Sequence, residues 1–233
     1  MRKEWHVGIV IPAKNEQEYI GNVIDSIPDF VDKIIVVNDG SSDNTQAIVE
    51  NKIKKNSKIE LINLLGEGVG RAIDTGHQKL LQILEKPFVS VVMAGDGQMD
   101  VEDLTNVIEP IIQNEADHVK GNRFQHSDGT GNMPATRKIA SKLLGFFTTL
   151  AAGRQITDPQ CGYTATSHAV LDEWNWNSSW KGYGYPNYWL IELSEKSFRL
   201  KEVPVKSVYG DEKSGIKNLS FFICLKSIPT TTH

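Results

Sequence analysis

Over the first 120 residues, short apolar runs rich in Val and Ile alternate with longer amphipathic stretches. The runs HVGIVIPA, KIIVVND, KIELINLL, PFVSVVMAG and ADHVKGN predict five strands, and residues 17–28, 43–56, 69–85 and 101–114 predict the helices between them. Near-continuous Val/Ile runs, rather than strict alternation, imply strands covered on both faces. The expected fold is therefore α/β, a doubly wound, mostly parallel sheet flanked by helices. Asp43 ahead of Gln46, and Asp100 ahead of Glu102, read as helix-start signals. Sheets of this kind bind ligands outside the carboxyl ends of their strands, where the strand order reverses.

Beyond residue 122 the pattern changes. The stretch RFQHSDGTGNMPAT, 123–136, is poor in apolar residues and predicts a surface loop long enough to act as a lid. A helix over about 136–152 follows, then the loop GRQITDPQCGY and the aromatic stretch WNWNSSWKGYGYPNYW. That stretch leads into a helix near 187–197 and a strand in RLKEVPVKSVY. Neither an internal repeat nor a low-complexity segment is present.

Composition narrows the function classes. The chain has 233 residues, 39% hydrophobic and 23% charged, enough to bury a sizeable core. A net charge of -4 provides no overall basic field, so no nucleic-acid partner is expected. Cys161 and Cys224 stand far apart without metal-ligand spacing, which favours reduced thiols in the cytoplasm over a disulfide framework. The first apolar run is too short for a secretory leader, and no uncharged run approaches the roughly 18–20 residues of a membrane span.

Four polar segments stand at the predicted strand ends: IPAKNEQEYI, VVNDGSSDNT, GDGQMD and GNRF. The alternation gathers them at one edge of the sheet. There Asp39 is placed to accept hydrogen bonds from a base or ribose, with Pro12, Ala13 and Glu16 as the opposite wall. In isolation NDGSSDNT would read as a turn and helix cap.

Together with GEGVGRAIDTG, AGDGQMDVEDL, the Arg137–Lys138 pair opening a helix, and TDPQCGYTA, these segments resemble the GT-A glycosyltransferases of family 2. The resemblance is to the group of dolichyl-phosphate mannose synthases and polyprenyl-phosphate sugar transferases, and covers roughly residues 6–217. It implies inverting transfer of a sugar from a UDP- or GDP-sugar donor with Mg2+ or Mn2+, to a lipid phosphate or a glycan. One GT-A domain, 1–217, would divide into a nucleotide-sugar half, 1–122, and an acceptor half, 123–217. By the same resemblance Pro12, Ala13, Glu16, Asp39, Gly95 and Asp96 hold the donor, and Asp96 and Gln98 ligate the metal. Arg123 and Arg137 lie near the donor diphosphate or the acceptor phosphate, where a planar guanidinium fork donates two parallel hydrogen bonds.

The metal motif departs from the family pattern. Relatives carry a first aspartate where this chain has Ala94. Mg2+ takes only one or two carboxylates when substrate phosphates complete its shell, so Asp96, Gln98 and a diphosphate form an adequate set. A lipid-phosphate acceptor needs no general base, whereas a hydroxyl acceptor needs one, and Asp158 in TDPQCGY is the candidate, with a loop cap as its competing role.

GEGVGRA lacks the GxGxxG order of a dinucleotide fingerprint. It reads instead as a glycine loop that lets a helix approach the donor, with Gly70 and Arg71 on the nucleotide side. The aromatics between Trp174 and Trp189 suit packing or sugar stacking. His77, His118, His126 and His168 show no ligand spacing. The tail 218–233 is amphipathic, with Ile216, Leu219, Phe222 and Ile223 at helical spacing from 216 onward. It suits either peripheral contact with the cytosolic face of a membrane or packing on the body or a second copy as a homodimer. Two alternatives stay open: a sugar-nucleotide nucleotidyltransferase, and a weakly active nucleotide-sugar-binding relic motivated by Ala94.

Overall fold

The apolar runs become the strands of one seven-stranded sheet in the order β3-β2-β1-β4-β6-β5-β7. The strands are β1 (His6–Ala13), β2 (Lys33–Asp39), β3 (Ile59–Leu64), β4 (Phe88–Val92), β5 (His118–Asn122), β6 (Thr164–Ser167) and β7 (Leu200–Pro204). The helices are α1 (Ile20–Ser26), α2 (Thr45–Ile53), α3 (Val69–Ile83), α4 (Leu104–Ile112), α5 (Ala135–Ala152), α6 (His168–Glu173) and α7 (Tyr185–Glu195). The structure is a computed structural model that describes residues 4–130, 133, 135–177, 180, 182 and 184–208, without the side chains of 135–137. The tail 218–233, Cys224 and Tyr183 lie outside the described residues.

Strands β3, β2, β1 and β4 pair in parallel, with Ile11 opposite Val36 and Val10 opposite Val92. Alternate side chains of β1 point to opposite layers. Val7, Ile9 and Ile11 join Ile20, Val23, Val49, Val107 and Ile108 in one core, whereas Val10 joins Ile35, Val37, Ala72, Ile73 and Leu80 in the other. Both faces are thus covered, which is why the strands read as unbroken apolar runs. The chain leaves β1 toward β2 and β3 on one side, and β4 lies on the other, so the strand order reverses between β1 and β4.

Two elements carry no sequence signal of their own. Strand β6 is the four-residue TATS, antiparallel to both β4 and β5, and α6 follows it directly, with Ser167 Oγ accepting from the Val170 amide at 3.5 Å. The sheet is mixed as a result. The helix expected over 101–114 splits into a 3-10 turn, Val101–Asp103, and α4, and the helix expected over 17–28 contracts to 20–26 after a turn in which the Tyr19 amide donates to Glu16. The aromatics mostly pack: Trp174 stacks on Trp189 at 3.8 Å inside the second core.

Helix α3 lies close on β1 because Gly76 has no side chain; a Cβ there would stand 2.2 Å from Val10 Cγ1. Val10 is β-branched, fully buried and on an interior strand, so it has little room to yield. Helix propensity favours Ala over Gly by about 1 kcal/mol, and overpacking opposes it by about 1–3 kcal/mol. Gly76→Ala is expected to lower stability, read as a lower urea midpoint with an unchanged slope.

Candidate active site

The loops that follow β1 and β2 are stitched together by side chains. Asn15 adopts a left-handed backbone (φ 59°), which Asn tolerates better than most residues, and its Oδ1 accepts the Ser42 amide at 2.8 Å. In return Ser41 Oγ accepts the Asn15 amide (2.9 Å), Thr45 Oγ1 accepts that of Glu16 (2.8 Å) and Asp43 Oδ2 accepts that of Gln17 (3.1 Å). The polar run NDGSSDNT therefore fixes the shape of IPAKNEQ. At the end of β2, Asp39 is nearly buried, and its two oxygens accept the amides of Glu67 (2.6 Å) and Gly68 (2.9 Å), tying the entry of α3 to the same edge. Lys14 Nζ stands 3.9 Å from Asp39.

The segment after β4 runs alongside β1: the Gly95 amide donates to the Pro12 carbonyl at 3.3 Å. Asp96 Oδ1 then accepts the Gln98 amide at 3.0 Å across Gly97, whose φ of 73° favours glycine. Asp100, two residues further on, has a different job. Its Oδ1 accepts the Glu102 amide at 3.0 Å and caps the 3-10 turn.

These loops enclose a cleft of about 970 Å³ at the β1/β4 switch. Among the residues lining it are Pro12, Ala13, Glu16, Asp39, Ala94, Gly95, Asp96, Gln98 and Arg123. Gly70 and Arg71 do not line it. Gly70 is buried within α3, and Arg71 sits on the surface of α3 with Nε 3.5 Å from Glu67, one turn from the cleft-lining Gly68. Arg137 falls on the first turn of α5, and its side chain is outside the description.

Asp158 does not line the cleft either. Its carboxylate is fully buried and absent from the cleft wall, so it is not placed to take a proton from an acceptor. Instead it accepts the Arg123 amide at 3.0 Å and both Nε and Nη2 of the guanidinium at 2.8 Å. Behind it Glu202 accepts the amides of Thr157 and Asp158 (3.1 Å each), while the buried Lys120 donates to the Cys161 carbonyl. Burial alone would raise the Asp158 pKa, but Arg123, and then Lys120, hold it below the ordinary carboxylate value. The product is a positioned guanidinium at the cleft edge.

The sequence reading missed several walls. Gln160, Cys161, Gly162 and Tyr163 line the cleft from the TDPQCGY segment, and Tyr185 and Pro186 from the start of α7. Lys206 arrives after β7, where Met99 and Ser207 form an antiparallel bridge and the Lys206 amide donates to Asp103 at 2.7 Å. TDPQCGY was a visible signal; no local pattern announces Lys206. Behind the cleft His77 meets Ser90 Oγ (2.7 Å) and His118 meets Thr166 Oγ1 (2.9 Å), both pushed down to about 3 by burial and so neutral core groups.

Whether these residues fit a divalent cation follows from their chemistry. Asp96 and Gln98 offer hard oxygen atoms, which suit Mg2+ or Mn2+. Among the described residues no group of three His, Cys, Asp or Glu side chains could hold a metal, and Ala94 contributes only a methyl at the wall. The donor set fits such an ion in company with diphosphate oxygens.

A reversing α/β sheet places its ligand cleft at the switch point, here with a buried arginine on the rim, and the comparisons specify the class. The family model Glycosyl transferase family 2 matches residues 8–174, and the chain belongs to that family. It is a glycosyltransferase with the GT-A fold. It is 32% identical to UDP-N-acetylglucosamine--dolichyl-phosphate N-acetylglucosaminyltransferase of Methanococcus voltae, over 87% of this chain and 86% of that one. Identity to polyprenol monophosphomannose synthase of Mycolicibacterium smegmatis is 25%, over 91% and 80%. Glucosyl-3-phosphoglycerate synthase from Mycobacterium tuberculosis, in complex with Mn2+, UDP and phosphoglyceric acid, superposes with a TM-score of 0.71 at 18% identity, over 97% of this chain and 78% of that one.

Asp158→Asn removes the charge that Arg123 is built around, and breaking a buried pair costs about 3–5 kcal/mol, the retained amide oxygen favouring the lower figure. Because the Asp158 pKa is depressed in the folded state, its contribution is fully present above the unfolded carboxylate value and is lost as pH falls through the folded one. Urea unfolding should show the gap between wild type and Asp158→Asn constant above about pH 5 and shrinking below about pH 4.

Proposed function

We propose that the chain transfers a sugar, with inversion, from a UDP-sugar to a polyprenyl phosphate in a metal-dependent displacement. The observation that carries this reading is the convergence, around one cleft at the strand-order reversal, of Asp96 and Gln98 from the β4 loop with Arg123 held by buried Asp158. UDP is preferred to GDP because the Methanococcus voltae relative, the more similar of the two lipid-phosphate transferases compared, is named for a UDP-linked donor. One relative is named for dolichyl phosphate as its acceptor and the other for a polyprenol monophosphomannose product, which favours a lipid phosphate over a glycan.

In the displacement, an acceptor phosphate oxygen forms the new bond to the anomeric carbon as the bond from that carbon to the donor diphosphate breaks, and the electron pair leaves with the nucleoside diphosphate. The acceptor oxygen is already anionic. No base has to remove a proton, which agrees with the engagement of Asp158 elsewhere. Pro12, Ala13, Glu16 and Asp39 hold the nucleotide against the stitched β1 and β2 loops, and Gly95 admits the donor close to the backbone. A divalent ion, when bound, neutralises charge on the diphosphate, with Asp96 and Gln98 as its protein ligands. Arg123 receives phosphate charge in a water-poor setting, and Arg137 adds a second cation from the start of α5. Their pre-set positions, rather than covalent chemistry, supply the rate.

Incubation with a panel of sugar nucleotides, Mn2+ and a polyprenyl phosphate should release UDP only when acceptor is present. Pyrophosphate would indicate a nucleotidyltransferase, and binding without turnover a relic. Asp96→Asn is expected to cut turnover by about 100-fold or more while the thermal midpoint holds. In calorimetry Mn2+ should bind weakly alone and at least about 10-fold more tightly with UDP, since unit charges about 4 Å apart interact by roughly 4 kcal/mol at an effective dielectric near 20. Equal affinity with and without UDP contradicts the shared donor set.

A further inference from the structure

A second, smaller cavity of about 30 Å³ adjoins the cleft. Ile73, Val92, Gly162, Tyr185 and Pro186 belong to the walls of both, and at Gly162 the shared wall carries no side chain. The inner wall is built from residues that do not line the cleft: His77, His118, Thr164, Thr166 and Trp189. The displacement chemistry makes no use of this side chamber.

Its walls are uncharged. Ile73, Val92 and Pro186 are apolar, and the two histidines, held near a pKa of about 3 by burial, are neutral, their Nδ1 atoms already engaged by Ser90 and Thr166. Two donors are left over. Trp189 is 2% exposed and Tyr185 5%, yet the indole Nε1 and the phenol oxygen have no hydrogen-bond partner among the described residues. Burial, and then Asp74, push the Tyr185 pKa up, but neither Asp74 nor Trp189 completes a hydrogen bond to the hydroxyl. Buried indole and phenol groups ordinarily find a partner, so the chamber suits a ligand group that brings an acceptor. Uncharged walls disfavour a phosphate or an ammonium there. The room is that of about two water-sized groups, which matches the carbonyl oxygen and methyl of an acetyl branch.

We propose that the side chamber receives the acyl branch of a 2-acetamido sugar, which makes the donor a nucleoside-diphosphate N-acetylhexosamine. The inference rests on the donor reading above. With the nucleotide on the Asp39 wall and the diphosphate over Asp96, the sugar lies toward Gly162 and Tyr185, where the chamber meets the cleft. There the amide carbonyl accepts from the Trp189 and Tyr185 donors, and the methyl meets apolar side chains. A plain hexose has only a hydroxyl at C2, too short to fill the chamber or to satisfy both donors. His77 and His118 close the back, so the chamber also limits the length of the branch. The names of the relatives leave the sugar open, one being for N-acetylglucosamine and the other for a phosphomannose.

The test is calorimetry of the full chain with Mn2+ and without acceptor, comparing UDP, UDP-glucose, UDP-N-acetylglucosamine and the N-butanoyl analogue of the last. Wild type should bind UDP-N-acetylglucosamine at least about 10-fold more tightly than UDP-glucose, and the N-butanoyl analogue should lose that advantage. Trp189→Phe and Tyr185→Phe each keep a ring and remove one donor. In each, the preference for the acetamido donor should fall below about 3-fold, whereas a packing defect would weaken both donors alike and leave the preference intact. Equal wild-type affinity for the two natural donors, an N-butanoyl analogue bound as tightly as the N-acetyl one, or variants that keep the full preference overturn the chamber's role while UDP still binds. A chain that binds no UDP overturns the donor reading and the chamber with it, so the two failures are distinguishable.

Discussion

Parallel pairing of β1 with β2 and with β4 is the constraint on which the rest of the site depends. Because the three strands run the same way, with Ala13 opposite Asn38 and Val10 opposite Val92, the loops that leave their carboxyl ends emerge at one edge. Residues remote in sequence, such as Glu16, Asp39 and Asp96, then share a cleft with no long-range covalent link. The hydrogen bonds between Asn15–Gln17 and Ser41–Thr45, and from the Gly95 amide to Pro12, turn that shared edge into a fixed surface. A site that works by positioning needs this rigidity more than it needs reactive groups.

The second layer of support is electrostatic. Arg123 would be costly to hold 6% exposed without a partner, and Asp158, itself oriented by Glu202 through the amides of Thr157 and Asp158, provides it. The pair joins the end of β5 to the segment before β6, and α5 closes over that segment. In this arrangement a carboxylate that a sequence motif offers as a base becomes the anchor of a cation.

Legibility in the sequence followed physical range. Strands β1 and β2 were visible to the residue, because burial on both faces writes an apolar run into the chain, and α3 and α5 because their periodicity is long. Strand β6 was invisible: four residues, two of them Thr, form a strand only because β4 and β5 offer ladder partners on either side. In the site, the polar residues just past strand ends were legible as a set, since the alternation alone predicts their shared edge. The roles of Asp158, Arg71 and Lys206 were not, because each depends on a partner distant in sequence or on the facing of one helix turn.

The central claim is that the donor diphosphate lies over Asp96 at the β1/β4 switch, beside Arg123. Diffraction from crystals grown with Mn2+ and a UDP-sugar measures this most directly. The account predicts anomalous density for manganese within bonding distance of Asp96 and of diphosphate oxygens, with the uridine against Ala13 and Asp39. Nucleotide and manganese both bound outside that cleft, with the Asp96 carboxylate turned away from them, would contradict it.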